Sequence, residues 1–218
     1  MATTFAELRE RMIDRQIAAR GLDDPKLLAA FRAVSREEFI SSDYASYAYQ
    51  DSPLPIESGQ TISQPYIVAL TIDAAGIKPG DRVLEVGAGS GYAAAVMSRI
   101  AGEVIAIERQ PDLVKVAQER MDRLGYDNVR IVEGDGTRGW EADAPYDAIL
   151  AAASGSHVPP PWVKQLADGG RIVMPVGDPG WVQKLVKVTK GPAAQLITED
   201  LGGVRFVPLI GEEGWSDE

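Results

Sequence analysis

Hydrophobic and polar positions alternate along this chain in two different periods. Over residues 4–20, apolar groups fall at Phe5, Leu8, Met12, Ile13 and Ile17, a helical spacing that Gly21 is placed to stop. Asp24 and Pro25 supply a cap and a first-turn proline for a second helix carried by Leu27, Leu28, Phe31 and Val34. Periodicity is then lost across residues 41–64, an extended, loop-rich stretch of the kind where binding groups concentrate. Pro65 opens a third helix that runs to Gly76.

From Arg82 onward short apolar runs alternate with helical segments. Strands are expected at 82–86, 103–108, 129–132, 146–151, 171–175, 182–189 and 204–209, and helices at 92–100, 112–124 and 161–166. Such alternation implies an α/β fold, a mostly parallel sheet with helices on both faces and an N-terminal helical addition. The expected organisation is one structural domain: N-terminal helices and a loop over 1–80, an α/β core over 81–210, and an acidic, frayed tail over 211–218.

Composition narrows the classes of partner. The 218 residues carry 22 basic and 32 acidic groups, a formal charge of −10, which argues against nucleic acid and anionic membranes as partners. No apolar run approaches the roughly 20 residues needed to span a bilayer. No basic-then-apolar leader opens the sequence, so a cytoplasmic protein is expected. With no Cys and one His, no metal site is expected.

The chemistry sits at three expected strand ends, where a parallel sheet holds its ligand. The first ends in Glu85 and runs into Gly87, Gly89 and Gly91, a tight turn before a helix whose free N–H groups favour an anion. A dinucleotide fingerprint would put a third glycine at position 92, where Tyr92 stands. The second strand ends in Glu108, 17 residues past Gly91 (108 − 91), where a carboxylate can accept from both hydroxyls of a ribose. The third leads to Gly134-Asp135-Gly136, where Asp135 can accept from an adenine amino group. Each acid alone reads equally as a solvated surface group; together at successive strand ends they describe a nucleoside site.

The glycine turn resembles the first motif of class I S-adenosylmethionine methyltransferases. Residues 48–56 (AYQDSPLPI), 59–69 (GQTISQPYIVA), 124–129 (LGYDNV), 134–136 (GDG) and 204–209 (VRFVPL) narrow the resemblance. Together they are similar to the protein-L-isoaspartate (D-aspartate) O-methyltransferase family, over almost the whole chain. That resemblance implies a Rossmann-like methyltransferase fold and S-adenosyl-L-methionine as donor, with S-adenosyl-L-homocysteine as product. It implies transfer to the free carboxylate of L-isoaspartyl or D-aspartyl residues in damaged proteins or peptides, repair then proceeding through a succinimide. It places Ser63 and Thr61 at the catalytic site, and Ile62, Ser63, Glu85, Gly87, Gly89, Gly91, Glu108, Arg109, Asp135 and Gly136 around the cofactor. Ser63 is read as an orienting hydrogen-bonder, with a plain helix N-cap as the other reading. A monomer is expected.

Two other functions stay open at this level: a class I methyltransferase with another acceptor, such as a specific peptide aspartate or tRNA, and a cofactor-binding module without catalysis. One departure stands out. Glu57 occupies a position where family members commonly have Gly, and either faces solvent or alters substrate choice by repelling an acidic substrate. His157 reads as a loop residue without a catalytic part, and Trp140 and Trp162 as packing residues.

Overall fold

The computed structural model describes residues 3–217. Thr4 opens the first helix with a reciprocal capping box: its hydroxyl accepts from Glu7 N–H, and its own N–H donates to the Glu7 carboxylate at 2.8 Å. Helix α1 (Phe5–Met12) continues through a wider π turn at Ile13–Ile17 and a tighter turn at Ala18–Arg20, ending at Gly21 with φ 90°. Of the apolar stripe chosen by spacing, Met12, Ile13 and Ile17 are almost fully enclosed, whereas Leu8 is half-buried and Phe5 exposed. Asp24 caps α2 (Pro25–Ala33) by accepting from Lys26 N–H at 2.7 Å.

The stretch without periodicity holds a small hairpin of β1 (Leu54–Pro55) and β2 (Thr61–Ile62), with Leu54 opposite Ile62. Helix α3 (Pro65–Ala75) follows. The main sheet is made by β3 (Arg82–Val86), β4 (Glu103–Glu108), β5 (Val129–Glu133), β6 (Tyr146–Ala151), β7 (Leu166–Val176), β8 (Gln183–Lys190) and β9 (Leu196–Val204). Between them lie α4 (Tyr92–Met97), α5 (Pro111–Leu124) and α6 (Pro160–Gln165). The spatial order is β5-β4-β3-β6-β7-β8-β9; the first five are parallel, and β8 and β9 return antiparallel.

Side chains that alternate along each strand sort into two apolar layers. Val83, Val104, Ala106, Ala148 and Leu150 pack with the helices α1 to α5. Leu84, Ile105, Ile107, Ile149 and Ala151 pack on the other face with Trp162 of α6. The N-terminal helices therefore share a continuous core with the sheet. The expected α/β fold, a mostly parallel sheet with helices on both faces, is the one observed.

Two expectations need correction. Residues 204–209 do not form the last strand; β9 lies earlier, at Leu196–Val204. Pro208 has no N–H for a ladder. The segment instead crosses the strand ends, where Leu209 N–H donates to Ser154 O and Ser154 N–H to Val207 O, both at 2.8 Å. Nor is the acidic tail frayed over its described residues. Glu212 N–H donates to Asp135 at 2.9 Å, Glu213 N–H to the Thr137 hydroxyl, and the Trp215 indole N–H to Ser154 O at 2.9 Å. These donors hold it down despite its charge. Glu218 lies outside the described residues.

Candidate active site

The strand order reverses beside β3: β4 lies on one side of it and β6 on the other, so a crevice opens at its carboxyl end. The chain leaves β3 through the glycine turn. Gly87, Gly89 and Gly91 have φ of 88°, 53° and 85°, left-handed values that a side chain would strain. The amide hydrogens of this turn are mostly taken by the protein itself. Gly87 and Ala88 both donate to Ile107 O at 2.9 Å, and Gly89 donates to the Glu108 carboxylate at 2.9 Å. The turn is therefore a bare, closely approachable surface whose Gly87, Ala88 and Gly89 N–H groups are already bonded.

A cavity of about 600 Å³ lies over it, lined by Gly87, Gly89, Glu108, Arg109 and Gly136 from the sheet side. Gly59, Gln60 and Thr61 form its loop side. Pro208 and Leu209, with Trp215 and Asp217 of the tail, close the remainder. Glu108 is fixed by three amides: Gly89 on one oxygen, and Arg109 and Gln110 on the other at 2.8 and 3.0 Å. Four lone-pair positions on a carboxylate leave it room to accept from a ligand hydroxyl. Arg109 pairs with Asp217 at 2.5 Å across the mouth.

Next to it is a second cavity of about 570 Å³, lined by Pro53, Thr61, Ser63, Arg205 and Phe206, among others. Thr61, Ala152 and Val207 line both cavities and so form their shared wall. Ser63 lines the second cavity and also a small apolar pocket of about 40 Å³, where it meets Glu85, Thr71 and Met97.

Glu85 is the most perturbed acid here. It is fully enclosed, and one of its carboxylate oxygens has no protein partner. Burial, and then the neighbouring Glu108 charge, push its pKa up to about 8. A cationic ammonium group would satisfy that orphan oxygen and, by its opposite charge, counter the shift. The amino end of S-adenosylmethionine is such a group, so the residues present fit this donor.

The structure does not bring every candidate into the crevice. Asp135 does not line the 600 Å³ cavity; Thr137 and Glu212 occupy its two carboxylate oxygens. Burial alone would raise its pKa, but the Glu212 and Thr137 donors, with Arg138 nearby, hold it below the ordinary carboxylate range. Its work is to cap the turn Gly136–Arg138 and anchor the tail. Ile62 is buried in the hairpin, placing its neighbours Thr61 and Ser63. The cap of α3 is Gln64, with no side-chain cap bond, so the Ser63 hydroxyl is not an N-cap.

Glu57 meets neither description its sequence position suggested. It pairs with Arg120 of α5 at 2.8 Å, with its side chain about one-third exposed (35%). His157 lines neither large cavity and bonds only its neighbour, Ser156. Trp162 is buried in the second layer, its indole donating to Gly136 O at 2.9 Å.

Sequence reading missed Arg36. It is fully buried, donating to Ala48 O and Ser63 O at 2.8 Å each, and its guanidinium lies 4.8 Å from the Tyr92 ring centre. Burial lowers its pKa, against the pull of Tyr92 and Tyr49. It thereby holds the backbone of Ser63. Arg120 was also missed, although a periodic signal existed: Leu113, Ala117, Arg120 and Met121 share the buried stripe of α5.

A mixed sheet with this crevice at the order reversal, an acid closing each of β3 and β4, and a bare glycine surface between them defines a methyltransferase of the α/β, nucleoside-binding class. Comparison with known proteins narrows it. The protein-L-isoaspartate(D-aspartate) O-methyltransferase family matches across residues 7–214, and the chain belongs to that family. A relative from Rhodopseudomonas palustris (strain HaA2), protein-L-isoaspartate O-methyltransferase 1, is 55% identical over 99% of this chain and 88% of its own length. One from Pelobacter propionicus, protein-L-isoaspartate O-methyltransferase 2, is 51% identical over 95% of this chain and 92% of its own. A solved protein-L-isoaspartate O-methyltransferase superposes with a TM-score of 0.86 at 32% identity, over 97% of this chain and 67% of that one. A Plasmodium falciparum structure described as the same enzyme, in complex with S-adenosyl-L-homocysteine, gives 0.79 at 29% identity over 96% and 99%.

Proposed function

We propose that this chain methylates the free side-arm carboxylate of L-isoaspartyl and D-aspartyl residues in damaged proteins or peptides, using S-adenosyl-L-methionine. The observation that carries this reading is the shared wall of Thr61, Ala152 and Val207 between a nucleoside-sized cavity and an open second cavity. The donor, when bound, supplies an activated methyl group. Glu85, Glu108, Arg109 and the glycine surface hold it; Asp135 contributes through the tail it anchors.

An isoaspartyl carboxylate is ionised at neutral pH, its ordinary pKa being about 4, so no general base is needed. The exposed His157 has no part to play. What the chain must do is orient that carboxylate and strip its water. Ser63 and Thr61 present hydroxyls along the second cavity, and Ile67 and Phe206 supply apolar walls that exclude water. Arg36 keeps Ser63 in register through its backbone. Formation of a succinimide from the methyl ester requires no further residue.

We read the enzyme as a cytoplasmic monomer that engages neither nucleic acid nor membrane, which the charge of −10 supports. Among the described residues no helix is long and apolar enough to cross a membrane. The test is methyl transfer to matched Asp and isoAsp peptides. Transfer to isoAsp alone is expected; donor binding without transfer to either peptide would overturn the reading in favour of a non-catalytic module. In the same assay Ser63→Ala should lower kcat by roughly 10- to 100-fold while leaving S-adenosylhomocysteine affinity nearly unchanged.

A further inference from the structure

The ion pair between Glu57 and Arg120 lines neither large cavity, yet it joins two walls of the first. Glu57 opens the turn whose following residues, Gly59, Gln60 and Thr61, form the loop side of that cavity. Arg120 reaches the other wall as well: its second guanidinium nitrogen lies 3.5 Å from Ser90 O, inside the glycine turn. The two loops also touch, since a Cβ built on Gly89 would come within 3.4 Å of Ile56 Cδ1.

The tethered turn is not in a relaxed conformation. Ser58 has φ 54° and Gly59 φ 67°, and for Ser58 the left-handed region carries a local cost that its surroundings must offset. The pair is also not an ordinary surface contact. Arg120 is only 10% exposed, and the second Glu57 oxygen is buried without a partner. Breaking the pair leaves Arg120 with a single long bond to a carbonyl.

We propose that Glu57 and Arg120 are positioning residues that latch the 57–61 turn onto the glycine turn, setting the affinity of the first cavity for its S-adenosyl ligand without choosing the acceptor. The proposal rests on the donor assignment above. It replaces the idea that the Glu57 charge acts on the substrate, because that charge is satisfied by α5 and lies outside the second cavity.

The test is calorimetric titration of S-adenosylhomocysteine into the wild type, Glu57→Gln, Arg120→Gln and the double variant, at a temperature where melting curves show each to be folded. Each single change should weaken binding roughly tenfold, and the double variant should be no weaker than the worse single one. Adding Ser58→Gly to Glu57→Gln should recover part of the loss, because glycine holds φ 54° without the cost that the latch offsets. At saturating donor, KM for an isoaspartyl peptide should stay within about twofold of wild type. Unchanged ligand affinity in both single variants, additive losses in the double, or a shift confined to peptide KM would each overturn the latch. Titration needs no turnover, so a wild type that binds S-adenosylhomocysteine but methylates nothing would sink the proposed function and leave the latch testable.

Discussion

The two sides of the donor cavity are built in different ways. The sheet side comes from the end of β3, the glycine turn and, beyond α4, the end of β4, with Val86 and Glu108 lining the cavity and Glu85 in the small pocket beside it. The other side is assembled from residues 59–61, residues 207–210 and the tail, which meet only in the folded chain. The sheet side is held by ladder hydrogen bonds and apolar burial. The assembled side depends on a few directed contacts: Arg36 to Ser63 O, Glu57 to Arg120, Trp215 to Ser154 O and Asp217 to Arg109. The contrast teaches that the sheet side supplies the donor's fixed anchors, while the assembled side tunes how tightly the donor is held and how the acceptor is presented to it.

The contrast breaks most sharply at Arg36, a single residue of the first 40 that holds the assembled side. Arg36→Met strands two buried carbonyls and should cost about 2–5 kcal/mol, lowering Tm by roughly 5–15 °C. Methyl transfer measured well below the new Tm should still be reduced, because Ser63 loses its anchor. Activity equal to wild type under those conditions would show that the Ser63 backbone is placed without it.

On the sheet side, Glu85→Gln should weaken S-adenosylhomocysteine by ~1.5–3 kcal/mol, roughly 10- to 100-fold, by removing a charge-assisted acceptor. The pH behaviour follows from the sign of the shift. Folded Glu85 keeps its proton up to about pH 8, whereas an unfolded carboxyl loses it near its ordinary 4.5. The native state thus binds more protons between those values. The stability this group contributes is complete below 4.5 and is lost as pH rises through about 8. Thermal melts should show the wild type declining across that window relative to Glu85→Gln. Ligand binding near pH 7 should release a proton in the wild type alone, read from calorimetry in buffers of different ionisation enthalpy. Proton release persisting in the variant would assign the linkage to another group.

The smallest expected effect is at the mouth. Asp217 is mostly exposed (70%), so its ion pair with Arg109 is screened by water. Asp217→Asn should move ligand affinity by less than about threefold. A larger loss would make the tail a full wall of the cavity and not its rim.

Much of the fold was legible because it rests on local rules. Short apolar runs marked nearly all members of the seven-stranded sheet, and the caps at Thr4 and Asp24 and the stop at Gly21 act within a few residues of themselves. The error at 204–209 has a tertiary cause: an apolar run with a proline is used to cross the strand ends, while the polar run at Leu196–Val204 takes the edge position, where only one neighbour is needed. The tail misled for a similar reason. Its acids suggest solvation, yet its backbone donors meet Asp135 and Thr137, from more than 70 residues away.

By itself, the sequence determined the α/β class, the glycine turn after Glu85, the acid ending β4 and the family, because each is written in neighbouring residues or in short contiguous motifs. Tertiary structure alone decided that the glycine turn's N–H groups are already bonded, that Asp135 turns to the tail, and that Glu57 meets Arg120. It also decided that a buried arginine just after α2, Arg36, holds the Ser63 backbone. These depend on which donor is nearest to which acceptor after packing, and burial makes each such pairing obligatory once water is gone.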